Sequence, residues 1–205
     1  MLLRNYKSAL LSLAIISVVG ATAVSTSAEA RERQDRKSSQ KEENRYPEAT
    51  REEPKVKGSP KVQKKLQSMI DAYNKDDFAA ARTLADEVLG NEAATAYDKS
   101  LAGQIASQAA YNTDDMAGTI AYLKRAIEEN ALDNNSHFQL MYMLAGVQLQ
   151  EDQLAEGLAT LDRYFAETKS QKPEDLVLKG QALYQGERYA EAIPVLKQAI
   201  DSSPE

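Results

Sequence analysis

The sequence predicts an all-α solenoid of about four helix-turn-helix units, eight helices in all, behind an N-terminal leader and a charged tether. Three observations carry this prediction. Four short strings recur at near-constant spacing. Apolar residues on either side of each string return at helical intervals, and residues 31–60 have almost no aliphatic content.

The leader comes first. Arg4 and Lys7 form a short basic start, and Ala9 to Val24 is an apolar run broken only by small hydroxyl residues and Gly20. Ala28-Glu29-Ala30 then offers a small-x-small cleavage site, the layout of a secretory signal peptide over residues 1–30. The apolar run is short for a membrane span of about 20 residues. A mature chain beginning near Arg31, exported to the periplasm or secreted, with no span after cleavage, is therefore expected. No cysteine follows the run, which excludes a bacterial lipoprotein anchor.

Residues 31–60 hold nine basic and seven acidic side chains and three prolines. Such a segment buries too little apolar surface to offset its ordering entropy, and is expected to be a disordered linker. The remaining 61–205 carry 14 basic and 23 acidic residues, a net charge of −9. That balance argues against nucleic acid and anionic lipid, which require clustered cations.

The repeat explains 61–205. Asp76-Asp77-Phe78-Ala79-Ala80-Ala81, Asp114-Asp115-Met116-Ala117-Gly118-Thr119, Asp152-Gln153-Leu154-Ala155-Glu156-Gly157 and Glu187-Arg188-Tyr189-Ala190-Glu191-Ala192 share one pattern. Each has polar residues, one large apolar residue, then small ones, as expected of a turn between two helices. Asp77, Asp115 and Asp152 are placed to cap the second helix of their units, where a carboxylate accepts from free backbone N–H groups. Phe78, Met116, Leu154 and Tyr189 then open the buried stripe. Leu123 and Ala126, Leu161 and Tyr164, and Leu196 and Ala199 continue it at i+4 and i+7 from the small residue. Asn134-Asn135-Ser136 reads as a turn and N-cap, and His137 as a solvent-facing residue just beyond it.

Residues 173–205 resemble a tetratricopeptide (TPR) unit, with Leu176, Gly180, Leu183, Ala192, Leu196, Ala199 and Pro204 at the characteristic positions. Lys179, where that pattern has leucine, and Leu183, where it has tyrosine, depart from it. Pro194 is assigned to the first turn of its helix, where its missing N–H costs nothing. Units at about 62–93, 100–131 and 138–171 match the same frame more loosely. The resemblance implies a right-handed stack whose concave side is lined by the first helix of each unit and binds a peptide or partner helix. By the same frame the groove would be formed by Gln67, Tyr73 and Asn74, by Gln104, Gln108, Tyr111 and Asn112, by Tyr142 and Gln150, and by Gln181, Tyr184 and Gln185. A ladder of amides and phenols can hydrogen-bond a peptide backbone with little regard for its sequence.

Catalysis is poorly supported by comparison. There is no cysteine, no tryptophan and one histidine, which removes thiol nucleophiles, disulfides and His-rich metal sites. The acidic pairs Asp76-Asp77 and Asp114-Asp115 lie in turns, unaccompanied by a phosphate loop or a nucleophile elbow. No enzyme activity, cofactor or metal is expected. The function that follows is a protein–protein interaction scaffold of the bacterial cell envelope. An envelope-assembly or cell-wall-polymer role, in secretion, pilus or outer-membrane machinery, is the alternative. Stopping at Ser203-Pro204-Glu205, the repeat array has no polar closing helix. This suggests further repeats in a longer protein, or self-association or partner binding through that edge.

Overall fold

The computed structural model describes residues 43–203, and the repeat body runs from Tyr46 onward. The leader and residues 31–42 of the expected linker lie outside the described residues, as does Pro204. Among the described residues eight helices form four antiparallel pairs: α1 (Gln63–Asn74) with α2 (Phe78–Leu89), α3 (Ala96–Asn112) with α4 (Met116–Glu128), α5 (Asn134–Gln150) with α6 (Leu154–Thr168), and α7 (Pro173–Gln185) with α8 (Tyr189–Asp201). No strand occurs among the described residues. The first helices of the two middle units begin four residues before the expected 100 and 138. Thr95 and Asp98 form a reciprocal capping box ahead of α3, and Asp133 accepts from the Ser136 N–H ahead of α5. The cap of α5 is thus Asp133, while Asn134 and Asn135 are already helical.

One turn is used four times. The N–H groups of Asp77, Asp115, Gln153 and Arg188 reach back to the carbonyls of Ala72, Ala110, Gln148 and Leu183, five residues earlier. The residue before each, Asp76, Asp114, Asp152 or Glu187, takes a left-handed conformation with φ between 57° and 59°. Short polar side chains tolerate that region better than most, which favours aspartate in three of the four turns. Asp77 and Asp115 cap their helices, accepting from Ala80 N and Gly118 N at 3.0 and 2.8 Å. Asp152 does not. It occupies the left-handed position, and Gln153 stands at the N-cap without a side-chain bond.

Three apolar clusters run along the stack, each joining one unit to the next. Leu66, Met69, Ala85 and Val88 meet Ala102, Ile105 and Ala106 of α3. Ile120, Leu123 and Ile127 meet Phe138, Leu140, Met141 and Leu144 of α5. Leu149, Leu158 and Leu161 meet Ala182, Leu183 and Ala192. Close approach within a unit requires short side chains: a Cβ on Gly103 would lie 3.0 Å from Ala126 Cβ and from the Tyr122 carbonyl oxygen. Backbone cannot swing aside as a side chain can. Gly103→Val is therefore expected to destabilise by about 1–3 kcal/mol through overpacking of α3 on α4, read as a lowered urea midpoint at unchanged slope.

Pro194 is the sixth residue of α8, not a first-turn residue. It removes the N–H that would bond to Ala190, yet the helix continues to Asp201.

Residues 46–59, expected to be disordered linker, are docked on the repeat body. Tyr46 to Ser59 form an extended strap along the edge where the units join. Tyr46 is buried edge-on against Phe138 and Tyr164, with ring centroids 5.1 and 6.1 Å away, and Lys172 Nζ lies 4.4 Å from its ring centre. Thr50 N donates to the Glu167 carbonyl at 2.8 Å. Arg51 donates to the side chains of Asn130 and Asn134 and to the carbonyls of Asn130 and Leu132. Ser59 N donates to Asp98 Oδ2 at 2.9 Å. Arg51 thus bonds the carbonyls of the α4–α5 loop and the Thr50 N–H bonds a carbonyl in the last turn of α6, so the strap's polar groups serve docking.

Candidate partner-binding face

The first helices α1, α3, α5 and α7 carry all of the expected amides and phenols. The structure sorts that row into three groups. Gln67, Asn74, Asn112, Gln150, Gln181, Tyr184 and Gln185 are exposed. Tyr73, Gln104 and Tyr111 are half-buried, and Gln108 is buried. Tyr142 is also half-buried, but belongs to a different environment.

On α1 and α3 the row is internally connected. Asn112 Nδ2 donates to the Tyr73 hydroxyl at 3.2 Å, linking one unit to the next, and Tyr73 leans on Phe78 with centroids 5.6 Å apart. Gln67 Nε2 is engaged by Asp71 at 2.9 Å. Gln108 is the unusual member, because its buried Oε1 accepts no hydrogen bond. Burying an unpaired amide oxygen costs about 1–3 kcal/mol, so this acceptor is kept at a price in stability.

Tyr142 has been drawn into the aromatic cluster beneath the strap. Its ring is 5.9 Å from Tyr164, and burial together with Asp175 and Glu174 pushes its hydroxyl up to about 12. Tyr164 is the centre of that cluster. It donates to Asp175 Oδ2 at 2.7 Å, and Ser170 donates to the same oxygen at 2.5 Å. Burial raises the Asp175 carboxyl above the usual carboxylate range despite these two bonds. The strap thus closes off part of the expected row at the third unit.

Residues before 61 are where sequence reasoning missed structure. Tyr46 is the one aromatic residue in 31–60, a large apolar ring in a segment otherwise without one. That was the available signal. Arg51 had no such signal, since nothing distinguishes it from its eight basic neighbours.

His137 is not solvent-facing. It is 1% exposed at the start of α5, with its ring edge-on to Phe138 and its Nε2 without a hydrogen bond. Burial, reinforced by Arg51 and Arg163, lowers its pKa to about 3, against a smaller opposing effect of Asp133. Among the described residues no group of three His, Asp or Glu side chains is placed to hold a metal ion. No described helix is long and apolar enough to cross a membrane.

No protein-family model matches the chain, and no curated protein sequence does. Solved structures do match. A crystal structure of MamA aligns with 16% sequence identity over 68% of this chain and 77% of that one, with a TM-score of 0.54. A second, MamA AMB-1, aligns with 13% identity over 67% and 70%, with a TM-score of 0.56. The fold is an all-α helical repeat, and the likeness supports a TPR-type arrangement of it. Identity this low speaks to fold alone, and the residues that touch a ligand must be argued from this chain.

Proposed function

We propose that the chain is a non-enzymatic interaction scaffold of the bacterial cell envelope, exported by its leader, that holds a peptide or partner helix on the face of its first helices. The observation that carries this reading is the row of phenols and amides on α1 and α3, in which Asn74 and Asn112 are exposed and Asn112 is bonded to Tyr73 of the preceding unit. Extended peptides present N–H and C=O groups at regular intervals, which amides and hydroxyls can match without reading side chains. The likeness to MamA supports the coarser part, a helical-repeat protein of the interaction type.

Gln104 and Asn112 are the residues to test, being half-buried and exposed, so that arginine at each fits without disturbing the core. Gln104→Arg with Asn112→Arg is expected to abolish recovery of a partner from envelope extract by the affinity-captured mature chain, while the thermal midpoint moves by less than about 0.5 kcal/mol equivalent. Unchanged recovery of the same partner removes the first-helix face from consideration. For the location, mass spectrometry of the protein in a periplasmic fraction is expected to find an N-terminus near Arg31. Recovery of the intact leader from cytoplasm alone overturns export.

A further inference from the structure

The strap is fastened at two places and free between them. Its first part is a clasp. The Tyr46 ring is buried against Phe138 and Tyr164, the Thr50 N–H is held by the Glu167 carbonyl, and Arg51 is held by the α4–α5 loop and Asn134. Its last part is an anchor at Ser59, whose N–H donates to the buried Asp98 three residues before the buried Val62 that leads into α1. Residues 52–58 between them make no hydrogen bond to the repeat body, and all but Pro54 are exposed.

Within the clasp only Tyr46 is buried; Pro47, Glu48 and Thr50 are exposed, and Ala49 and Arg51 half-buried. One ring must therefore offset the conformational entropy of ordering the clasp, because hydrogen bonds that replace bonds to water contribute modestly. A segment with so few buried contacts opens at a smaller free energy than the body it rests on.

The body beneath has its own fastenings. Asp133 caps α5 by accepting from Ser136, and Thr95 holds Asp98 independently of Ser59. Phe138 belongs to the cluster that joins α4 to α5, and Tyr164 donates to Asp175, which Ser170 also holds. Tyr142 leans on Tyr164 with ring centroids 5.9 Å apart. The walls of the Tyr46 pocket are thus set by α5, α6 and the start of α7, and Asn130, Asn134 and the Leu132 carbonyl keep the acceptors that receive Arg51.

We propose that residues 46–51 are a self-docked lid. They swing away as a unit about residues 52–58 while the four helix pairs stay folded and Ser59 stays anchored. The pocket of Phe138, Tyr142 and Tyr164 that they uncover remains formed, a site for an extended segment with an aromatic ring and, five residues later, an arginine. The lid is the chain's own occupant of that site, and its opening is what admits anything else. This site is separate from the row on α1 and α3.

Native-state hydrogen exchange of the full mature chain tests the opening. The Thr50 amide is expected to exchange about tenfold or more faster than the slowest amides of α3, at a rate unchanged by sub-denaturing urea, because lifting the lid exposes little surface. Exchange of Thr50 at the rate of the α3 core, with the same urea dependence, would mean that the clasp leaves only on global unfolding, and overturns the proposal. The pocket is tested with a fluorescent peptide of residues 43–59 and the full mature chain carrying Tyr46→Ala with Arg51→Ala, whose own clasp is released. That chain is expected to keep its helical circular dichroism and to bind the peptide saturably. The parent chain binds it about tenfold or more weakly, since its own clasp competes at an effective concentration on the order of millimolar. Peptides carrying Tyr46→Ala or Arg51→Ala are expected to lose a similar factor on the clasp-released chain. Loss of helicity in that chain, absence of binding, equal binding to the parent, or equal binding of the altered peptides overturns the proposal. The Gln104→Arg, Asn112→Arg chain is expected to exchange Thr50 as the parent does, so the lid and the first-helix face can fail separately.

Discussion

Tyr46→Ala is expected to lower the stability of the mature chain by about 3 kcal/mol or more, within the range for removing a buried aromatic ring. The ring is lost from contact with Phe138 and Tyr164, and Lys172 loses the π face it lies over. Tyr164 keeps its bond to Asp175, because that oxygen does not depend on the strap. The effect is therefore a cavity beside an intact polar network. Urea unfolding monitored by circular dichroism measures it, with Tyr46→Phe as the control. The Tyr46 hydroxyl is 3.4 Å from that of Tyr164, a long contact, so phenylalanine is expected to restore most of the loss. If the strap were a passive tether, Tyr46→Ala would unfold at the same urea concentration as the parent, and removal of residues 31–59 would change nothing. Loss of the strap is expected to expose the third unit first, where Tyr46 and Thr50 are fastened.

The repeat was legible because it is local. Helical periodicity, a large residue after a polar turn, and small residues where helices cross are set within about 35 residues, and they recur. The eight helices follow from that pattern, and Asp77 and Asp115 cap as their spacing predicts. Asp152 shows where local reading fails: one residue of offset moves an aspartate from a cap to a left-handed turn position, and both suit aspartate. The strap was illegible for the opposite reason. Its binding energy comes from residues 39 to 118 positions away, such as Asp98, Asn130, Asn134 and Tyr164, and composition alone does not reveal a long-range partner. Of the expected row of site residues, the sequence placed all twelve on first helices. It could not show that Tyr142 is taken up by the strap cluster or that Gln108 is buried. Burial of a given helical position depends on what the neighbouring unit and the strap present to it.

His137 makes the fold sensitive to acid in a way that one substitution can isolate. In the native chain its imidazole stays neutral down to about pH 3, because burial and the guanidinium groups of Arg51 and Arg163 oppose protonation. In the unfolded chain it titrates near the ordinary histidine value of about 6.5. Above that pH neither state is protonated and the neutral ring contributes its full share to stability. As pH falls from about 6.5 toward 3, the unfolded state takes up a proton that the native state refuses, and stability is lost by a few kcal/mol. Asp175 acts in the other direction. Its carboxyl is raised by burial, so the native state accepts its proton first and regains stability as pH falls through that raised value. The two effects overlap in the acid range, and the parent curve alone does not separate them. His137→Leu does, because it removes only the histidine contribution and leaves Asp175, Arg51 and Arg163 in place. At pH 7 the leucine variant is expected to be at least as stable as the parent, since Nε2 has no hydrogen bond to lose. Between pH 6.5 and 4 its unfolding midpoint is expected to fall less steeply than the parent's. Parallel curves over that interval would mean that His137 protonates in the folded chain, through a route by which water or a carboxylate reaches it.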